Sequence, residues 1–270
     1  MSSESGLLLR LAGPLQSWGE RSKFNERDTA PFPTRSGVIG LLACALGRRR
    51  GDDIADLARL SLTVRADRPG VLLRDLHTVG GGLPARRTVT TAEGKKRPAA
   101  AATLLSHRHY LADAVFAAAL TGPGDVLAAC AAALREPFWP PYLGRRSCPP
   151  EGPVLLGEFD DVRRHLVELP LARVRRETAA TVPVLFHGDR SLADLAPAEP
   201  DAPDGSEAAG QVNDQPLDFH QHRRAYRSRS RYQRTLHLPA DRCHGLGIAY
   251  LKALTAYLAP HSPRPEGSPA

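Results

Sequence analysis

The stretch Gly6–Gly47 of this 270-residue chain reads GLLLRLAGPLQSWGERSKFNERDTAPFPTRSGVIGLLACALG. Its first part, Leu7–Leu11, is an apolar run that predicts a buried strand, and its last part predicts a helix that begins at about Gly37. Thr34 or Ser36 is placed to cap this helix, which would leave the first-turn amides free to face an anion.

The loop between this strand and helix is crowded with cations and aromatic rings, namely Trp18, Arg21, Lys23, Phe24 and Arg27. Cations, rings and a helix N-terminus in one place suit a polyanion whose bases can stack, which is a nucleic acid. The residues alone leave a second interpretation open, in which the loop is solvated and its two rings are packing residues.

Charge is compatible with a nucleic-acid partner. The formal net charge is +7, and residues 1–150 hold 21 Lys and Arg against 13 Asp and Glu. The segment 192–216 is acidic and contains no base. A basic fold with an acidic loop fits an anionic partner. Only four of the 36 bases are lysines, so an arginine-rich proteome is an alternative source of the charge.

Hydrophobic periodicity places further elements along the chain. It predicts strands at 62–66 and 71–79, a long strand at 108–120 and a helix at 126–134. The order is then β-α-β-β-insertion-β-α, which is close to a ferredoxin-like, RRM-type unit within an α+β fold.

A boundary between two regions is predicted after this unit. Residues 1–137 are expected to form the ferredoxin-like domain, and 138–270 a smaller β-rich region with a flexible acidic loop at 192–216. Within the second region, short strands are predicted at 154–156 and 166–169.

An insertion at about 78–107 interrupts the first domain. It begins with Gly80-Gly81-Gly82 and continues with Thr, Arg and Lys residues, so it is too polar for a core and too long for a turn. We expect a protruding loop or hairpin.

Two later segments also combine arginine with aromatic rings. Residues 138–150 read FWPPYLGRRSCPP, a connector in which Tyr142, Arg145 and Arg146 are predicted to contact phosphates or bases. Along an extended strand near the C-terminus, Arg227 and Arg229 share one face and could follow a phosphate backbone. Solvated strand charges are the alternative for that face.

The runs LRLAGPLQSWG and PFPTRSGVIGLLACALG, together with YLGRRSC at 142–148, resemble the CasD (Cas-five) family. This is a RAMP-superfamily group of subunits of type I-E CRISPR Cascade complexes. The resemblance implies a subunit that holds the 5′ handle of the CRISPR RNA, with the insertion at 78–107 as a thumb over the guide. It also implies contacts with the large subunit and backbone subunits of Cascade, an indirect contact with target DNA, and a role in antiviral defence.

The resemblance assigns Gln16, Trp18 and Arg35 to a handle pocket. It assigns Arg108 and Tyr110 to the thumb root, and Tyr142, Arg145 and Arg146 to a clamp. Together with the charged and capping residues found above, the predicted RNA-binding set is Gln16, Trp18, Arg21, Lys23, Arg27, Arg35, Ser36, Arg108, Tyr110, Tyr142, Arg145, Arg146, Arg227 and Arg229.

Catalysis is not expected, because the I-E form of the family holds RNA that another subunit cuts. A metal-independent endoribonuclease that processes precursor CRISPR RNA is the alternative, with His109, Arg108 and Tyr110 or Tyr142 as its reacting groups. No spacing of His or Cys indicates a metal or cofactor. The lack of a signal peptide or a long apolar run favours the cytoplasm and no membrane partner.

Overall fold

A computed structural model describes residues 4–20, 25–82, 84–91, 93–98, 101–175, 178–195, 208–220 and 223–261. The strands are β1 (Gly6–Ala12), β2 (Leu15–Gln16), β3 (Glu26–Arg27), β4 (Ser61–Arg68), β5 (Val71–Val79), β6 (Leu104–Ala112), β7 (Val115–Thr121), β8 (Leu155–Phe159), β9 (Thr181–Gly188), β10 (Ala208–Asp218) and β11 (Ala225–Pro239). The helices are α1 (Arg35–Ala45), α2 (Gly124–Arg135), α3 (Val162–Glu168) and α4 (Ile248–Leu258).

A seven-stranded sheet in the order β10-β11-β9-β4-β7-β1-β8 forms the centre of the molecule, and each neighbouring pair is antiparallel. The fold is therefore mixed α+β, as predicted, and its central sheet is antiparallel. One sheet contains strands from both sides of residue 137, so the structure shows no separate sheet for the predicted second region.

Helices cover both faces of this sheet, which explains why β1 is buried along its whole length. Leu7, Leu9 and Leu11 pack with α1 and α2, whereas Leu8 and Ala12 pack with α3 and α4. Alternate side chains of a strand point to opposite faces, so a strand covered on both sides reads as an apolar run.

A second sheet contains β2, β3, β5 and β6, and its main part is the long hairpin of β5 and β6. The single long strand predicted at 108–120 is wrong. The chain turns at Asp113, whose φ is 55°, so that β6 belongs to the hairpin and β7 to the central sheet. Apolar residues continue from the end of β6 into β7 without a glycine or proline, so the sequence does not mark the turn.

Two predictions for the C-terminal half need correction. The strand predicted at 166–169 lies mostly in α3, whose first turn is capped by Asp161 accepting from the Arg164 amide. The predicted flexible loop 192–216 ends in ordered structure, because residues from Ala208 onward form β10. Residues 196–207 of that segment lie outside the described part of the chain. No described helix is long and apolar enough to cross a membrane.

Candidate nucleic-acid interface

A cleft of about 1140 Å³ opens beside α1 on the face of the central sheet that α1 covers. Its sides come from four segments: the loop after β1, the helix α1 with the residues that follow it, the connector 139–149, and the β10–β11 strands. We call it the arginine cleft after its most frequent lining residue. Seven arginines line it, namely Arg27, Arg48, Arg49, Arg50, Arg145, Arg146 and Arg224.

Aromatic rings lie among these arginines. Trp18, Trp139, Tyr142, Phe219 and Tyr226 line the cleft, and Glu20 is the sole acid among its described lining residues. Arginine neutralises phosphate, and a ring gives a base a surface on which to stack. The arrangement can therefore bind a single-stranded polyanion that carries bases.

The residues of the predicted clamp, Tyr142, Arg145 and Arg146, line one side of the cleft. The Arg145 guanidinium lies 4.9 Å from the centre of the Tyr110 ring, and its Nη2 donates to the carbonyl of Arg27 at 2.8 Å. Its Nη1 is buried and has no hydrogen-bond partner among the described residues. Because buried donors are normally hydrogen-bonded, this N–H group is available to an acceptor on a ligand or a water.

Gly144 allows the clamp to approach the loop after β1. Its φ is +83°, and a Cβ built there would lie 1.8 Å from the Ser17 carbonyl oxygen. Ser17 also donates its amide to the Leu143 carbonyl at 3.1 Å. Only glycine fits both the conformation and the close contact.

Gln16 and Trp18 support the floor of the cleft from inside. Both are fully buried, and Trp18 donates its indole N–H to Gln16 Oε1 at 3.0 Å. Gln16 in turn donates to the carbonyls of Leu11 and Ala114. The polar groups of Gln16 are thus satisfied within the protein, and the Trp18 ring is a core residue beneath the cleft.

The helix N-terminus beside the cleft already has an anion. Neither Thr34 nor Ser36 caps α1; the Asp214 carboxylate accepts from the Arg35 amide at 2.7 Å instead. The same carboxylate accepts from Arg229 Nε at 2.7 Å and Nη2 at 2.9 Å. The predicted attraction of an anion to this helix end is met by a side chain of the protein, as the helix dipole favours.

Arg35 and Arg229 are predicted to contact RNA, whereas in the structure both guanidinium groups contact carboxylates of the protein. Arg35 forms an ion pair with Asp189, which also accepts from Arg229 Nη1 at 3.0 Å. Arg35 is 5% exposed, so its guanidinium is occupied inside the protein. We call Arg35, Asp189, Asp214 and Arg229 the ion network. Burial raises the pKa of Asp189, while the two arginines act in the opposite direction.

The predicted residues divide into four groups by position. Those that line the cleft are Trp18, Arg27, Ser36, Tyr142, Arg145 and Arg146. Gln16, Arg35, Tyr110 and Arg229 are held by internal contacts or buried, and Arg108 and Arg227 lie outside the cleft lining. Arg21 and Lys23 lie outside the described residues.

The structure adds residues that the sequence does not single out as RNA contacts. Arg49 and Arg50 are exposed at the cleft beyond the end of α1, where the sequence supports a helix-dipole role equally well. Trp139 lines the cleft, although its pattern is that of a packing residue in a seam. Arg224 and Tyr226 join from the turn and start of β11.

The cleft lining includes a partly buried thiol and an ion-paired guanidinium, both with a raised pKa. Burial raises the pKa of the Cys44 thiol, so this residue stays protonated at neutral pH. The pKa of Arg48 is raised by its hydrogen bond to Asp56. No histidine is among the described lining residues. No group of three or more His, Cys, Asp or Glu in the described part of the chain could hold a metal.

Comparison with known proteins gives a consistent result. Residues 6–232 match the family model for CRISPR-associated protein (Cas_Cas5). The Cascade subunit CasD of the CRISPR system of Escherichia coli (strain K12) is 40% identical over 168 residues, which are 57% of this chain and 70% of CasD.

Two solved structures share the fold. A chain of a CRISPR RNA-guided surveillance complex is 44% identical with a TM-score of 0.79, over 94% of this chain and 99% of that one. A crystal structure of a Cas protein is 34% identical with a TM-score of 0.53, over 90% of this chain and 98% of that one. The family model covers most of the sequence, and the structural match covers nearly all of it. The chain therefore belongs to the CRISPR-associated Cas5 family.

Proposed function

We propose that this chain is the CasD-type subunit of a type I-E CRISPR Cascade complex, and that it holds the 5′ handle of the CRISPR RNA in the arginine cleft. The observation that carries the proposal is the composition of the cleft, which is lined by seven arginines and by four aromatic rings that are partly or fully exposed. Its relatives are a Cascade subunit and a chain of an RNA-guided surveillance complex.

The central strands support a ferredoxin-like, RAMP-type core. Taken in chain order, β1, β4, β7 and β8 are connected by α1, a hairpin insertion and α2, and they lie side by side in the order β4-β7-β1-β8. This is the βαββαβ pattern of ferredoxin-like units. The β5–β6 hairpin inserted between β4 and β7 is the proposed thumb, and it carries Lys and Arg in its tip.

The subunit is proposed to bind RNA without cutting it. The residues considered for metal-free cleavage are poorly placed, because Tyr110 is 3% exposed and His109 is not among the cleft-lining residues. Precursor processing needs a group that removes the 2′-OH proton beside the bound RNA. DNA recognition would then come from guide pairing within the complex, with the large and backbone subunits as neighbours and the cytoplasm as the location.

The test is binding of a fluorescent RNA that carries the repeat-derived 5′ handle of the chain's own CRISPR locus. The double variant Arg49→Glu/Arg50→Glu should weaken binding at least tenfold, because it reverses two cations that have no ion-pair partner among the described residues. The matched control is Arg164→Glu/Arg175→Glu, two exposed arginines outside the cleft lining. Equal loss in both variants would contradict a cleft-specific site, and a cut RNA product in EDTA would contradict the non-catalytic role.

A further inference from the structure

The β10–β11 pair forms one side of the arginine cleft, yet little of the central sheet supports it. Strand β11 pairs with β9 only from Tyr232 to Pro239, whereas its earlier residues pair only with β10. The β10–β11 pairing also contains three register shifts. We call the described residues 208–220 and 223–231 the ribbon. A two-stranded ribbon alone is at best marginally stable in water, so other contacts must determine where it lies.

Those contacts run along α1. At one end, Asp214 of the ribbon bonds the Arg35 amide at the start of the helix. In the middle, the Phe219 ring lies 4.0 Å from the position of a Cβ on Gly40. Beyond the helix, His220 lies 3.4 Å from the equivalent position on Gly51, in the turn that follows α1. The ribbon therefore contacts the start and the middle of α1 and the segment after it.

The ion network is the strongest of these attachments. Asp214 is 1% exposed and accepts three hydrogen bonds, two from Arg229 of the ribbon and one from α1. Asp189 joins the same Arg229 to Arg35 and also accepts from the Leu62 amide of β4 at 2.9 Å. The network thus connects the ribbon to α1 and to the centre of the sheet. Charge-assisted hydrogen bonds of this kind are the strong ones.

We infer that the ion network positions the ribbon as a side of the arginine cleft, so that Asp214 and Arg229 act on RNA binding without touching RNA. The inference rests on the proposed function, because it takes RNA as the ligand. The ribbon residues that would face the RNA are Arg224 and Tyr226 at the start of β11, with Asn213 next to Asp214.

The positioning role also explains the unusual sequence of this region. Asp214 belongs to an acidic segment, and Arg229 belongs to a strand rich in arginine. Composition alone suggests that the acids repel RNA and that the arginines attract it. In the structure one acid and one arginine of the ribbon neutralise each other in the interior, and Arg224 at its turn is left to face the cleft.

The test compares Asp214→Asn with the matched control Asp67→Asn. Asp67 is also a buried aspartate paired with a buried arginine, Arg65, but it lies at the end of β4 away from the cleft. Hydrogen exchange of the RNA-free protein and the affinity for the handle RNA are measured for each, with affinity corrected for the folded fraction.

We expect Asp214→Asn to increase exchange throughout the ribbon while β1 and β7 stay protected, and to weaken RNA binding at least tenfold. Asp67→Asn should lower stability but keep the affinity of the folded protein within twofold. Should Asp214→Asn not fold, Arg229→Lys, which keeps a charge but cannot span both carboxylates, is expected to give the same result in milder form.

Unchanged ribbon exchange in Asp214→Asn would overturn the inference, as would a released ribbon with unaltered RNA affinity. Failure of the proposed function looks different, because wild-type protein would then not bind the handle RNA at all. In that case hydrogen exchange of Asp214→Asn still decides whether the ion network holds the ribbon in place. Unchanged exchange of the ribbon amides would reject that structural role as well.

Discussion

Replacing Gly144 by alanine should damage both the stability of the protein and its RNA clamp. The residue has a φ of +83°, and its Cβ would lie 1.8 Å from the Ser17 carbonyl oxygen. The left-handed conformation costs a non-glycine residue about 1–2 kcal/mol. Backbone cannot move aside as a flexible side chain can, so the overlap adds about 1–3 kcal/mol. The expected loss in the free energy of unfolding is therefore about 2–5 kcal/mol.

A matched glycine separates the two contributions. Gly245 has a φ of +73° with no atom within 4 Å of its Cβ position, so Gly245→Ala contains the conformational part alone. Urea unfolding can be followed by tryptophan fluorescence, since Trp18 packs beside Gly144. Gly144→Ala should be less stable than Gly245→Ala by at least about 1 kcal/mol.

The same pair of variants tests the connection to function. Relief of the overlap must move residues 142–146 away from Ser17, and this displaces Tyr142, Arg145 and Arg146 from the cleft. We expect at least a tenfold loss of handle RNA affinity for Gly144→Ala and none for Gly245→Ala. Equal stability of the two variants, or equal RNA affinity, would refute the view that close packing at Gly144 sets the clamp.

Other parts of the structure give three further predictions. Burial lowers the pKa of His187 to about 4, so the unfolded state binds more protons than the folded state between pH 6.5 and 4. As the pH falls through that window, the free energy of unfolding should decrease by up to about 3 kcal/mol. Urea unfolding of His187→Phe over the same pH range should not show this loss, and a pH dependence identical to that of the wild type would contradict the prediction. The variant Arg65→Met leaves the Asp67 carboxylate without its ion-pair partner at a site where both side chains are 0% exposed. Urea unfolding should show that the free energy of unfolding falls by about 3–5 kcal/mol. A decrease below about 1 kcal/mol would argue against a buried charge at this site. The double variant Leu72→Ser/Leu76→Ser replaces two leucines of β5 that are 62% and 56% exposed. The free energy of unfolding should change by less than about 0.5 kcal/mol per site, while light scattering should show less aggregation of the isolated subunit. A large destabilisation would mean that these leucines pack in the monomer.

Elements with strong local patterns could be predicted from the sequence. The apolar run of β1 and the helical periods of α1 and α2 are visible within ten to twelve residues, and the structure has all three. The turn at Asp113 could not be predicted, because no glycine or proline marks it and the apolar residues at the end of β6 lead directly into the apolar run of β7. A single residue with positive φ changes the sheet to which the chain belongs, and periodicity does not report it.

Strand β10 is missed for a different reason. Its sequence, AAGQVNDQPLD, is polar and contains a proline and a glycine, which are features of a loop. It is a strand because β11 provides pairing and because Arg229 neutralises the buried Asp214. Arg229 lies 15 residues after Asp214, and β11 follows a turn, so the local composition of β10 does not reveal either partner.

The candidate site shows a similar limit on what can be predicted for arginine. Sequence indicates that arginines gather near the loop after β1, the connector and β11. The structure brings members of the first two groups to one cleft, together with Arg224 from the turn before β11. The sequence does not indicate which guanidinium groups form ion pairs with carboxylates in the folded protein. Arg35 and Arg229 meet Asp189 and Asp214, and those acids come from segments whose position depends on the complete fold.

The ion network allows the cleft to form because it supplies the anions that the buried cationic groups beside the cleft require. A helix N-terminus and two arginines in the interior need anions nearby, since a buried charge without a partner is costly. If RNA phosphate met that need, the subunit would be unstable until RNA arrived. Asp189 and Asp214 meet that need within the protein. Under the proposed function the cleft is then formed before binding, and RNA would meet the exposed cations Arg49, Arg50, Arg146 and Arg224 at its edge. Contacts with four phosphates would give a slope of about −3 for log affinity against log salt concentration.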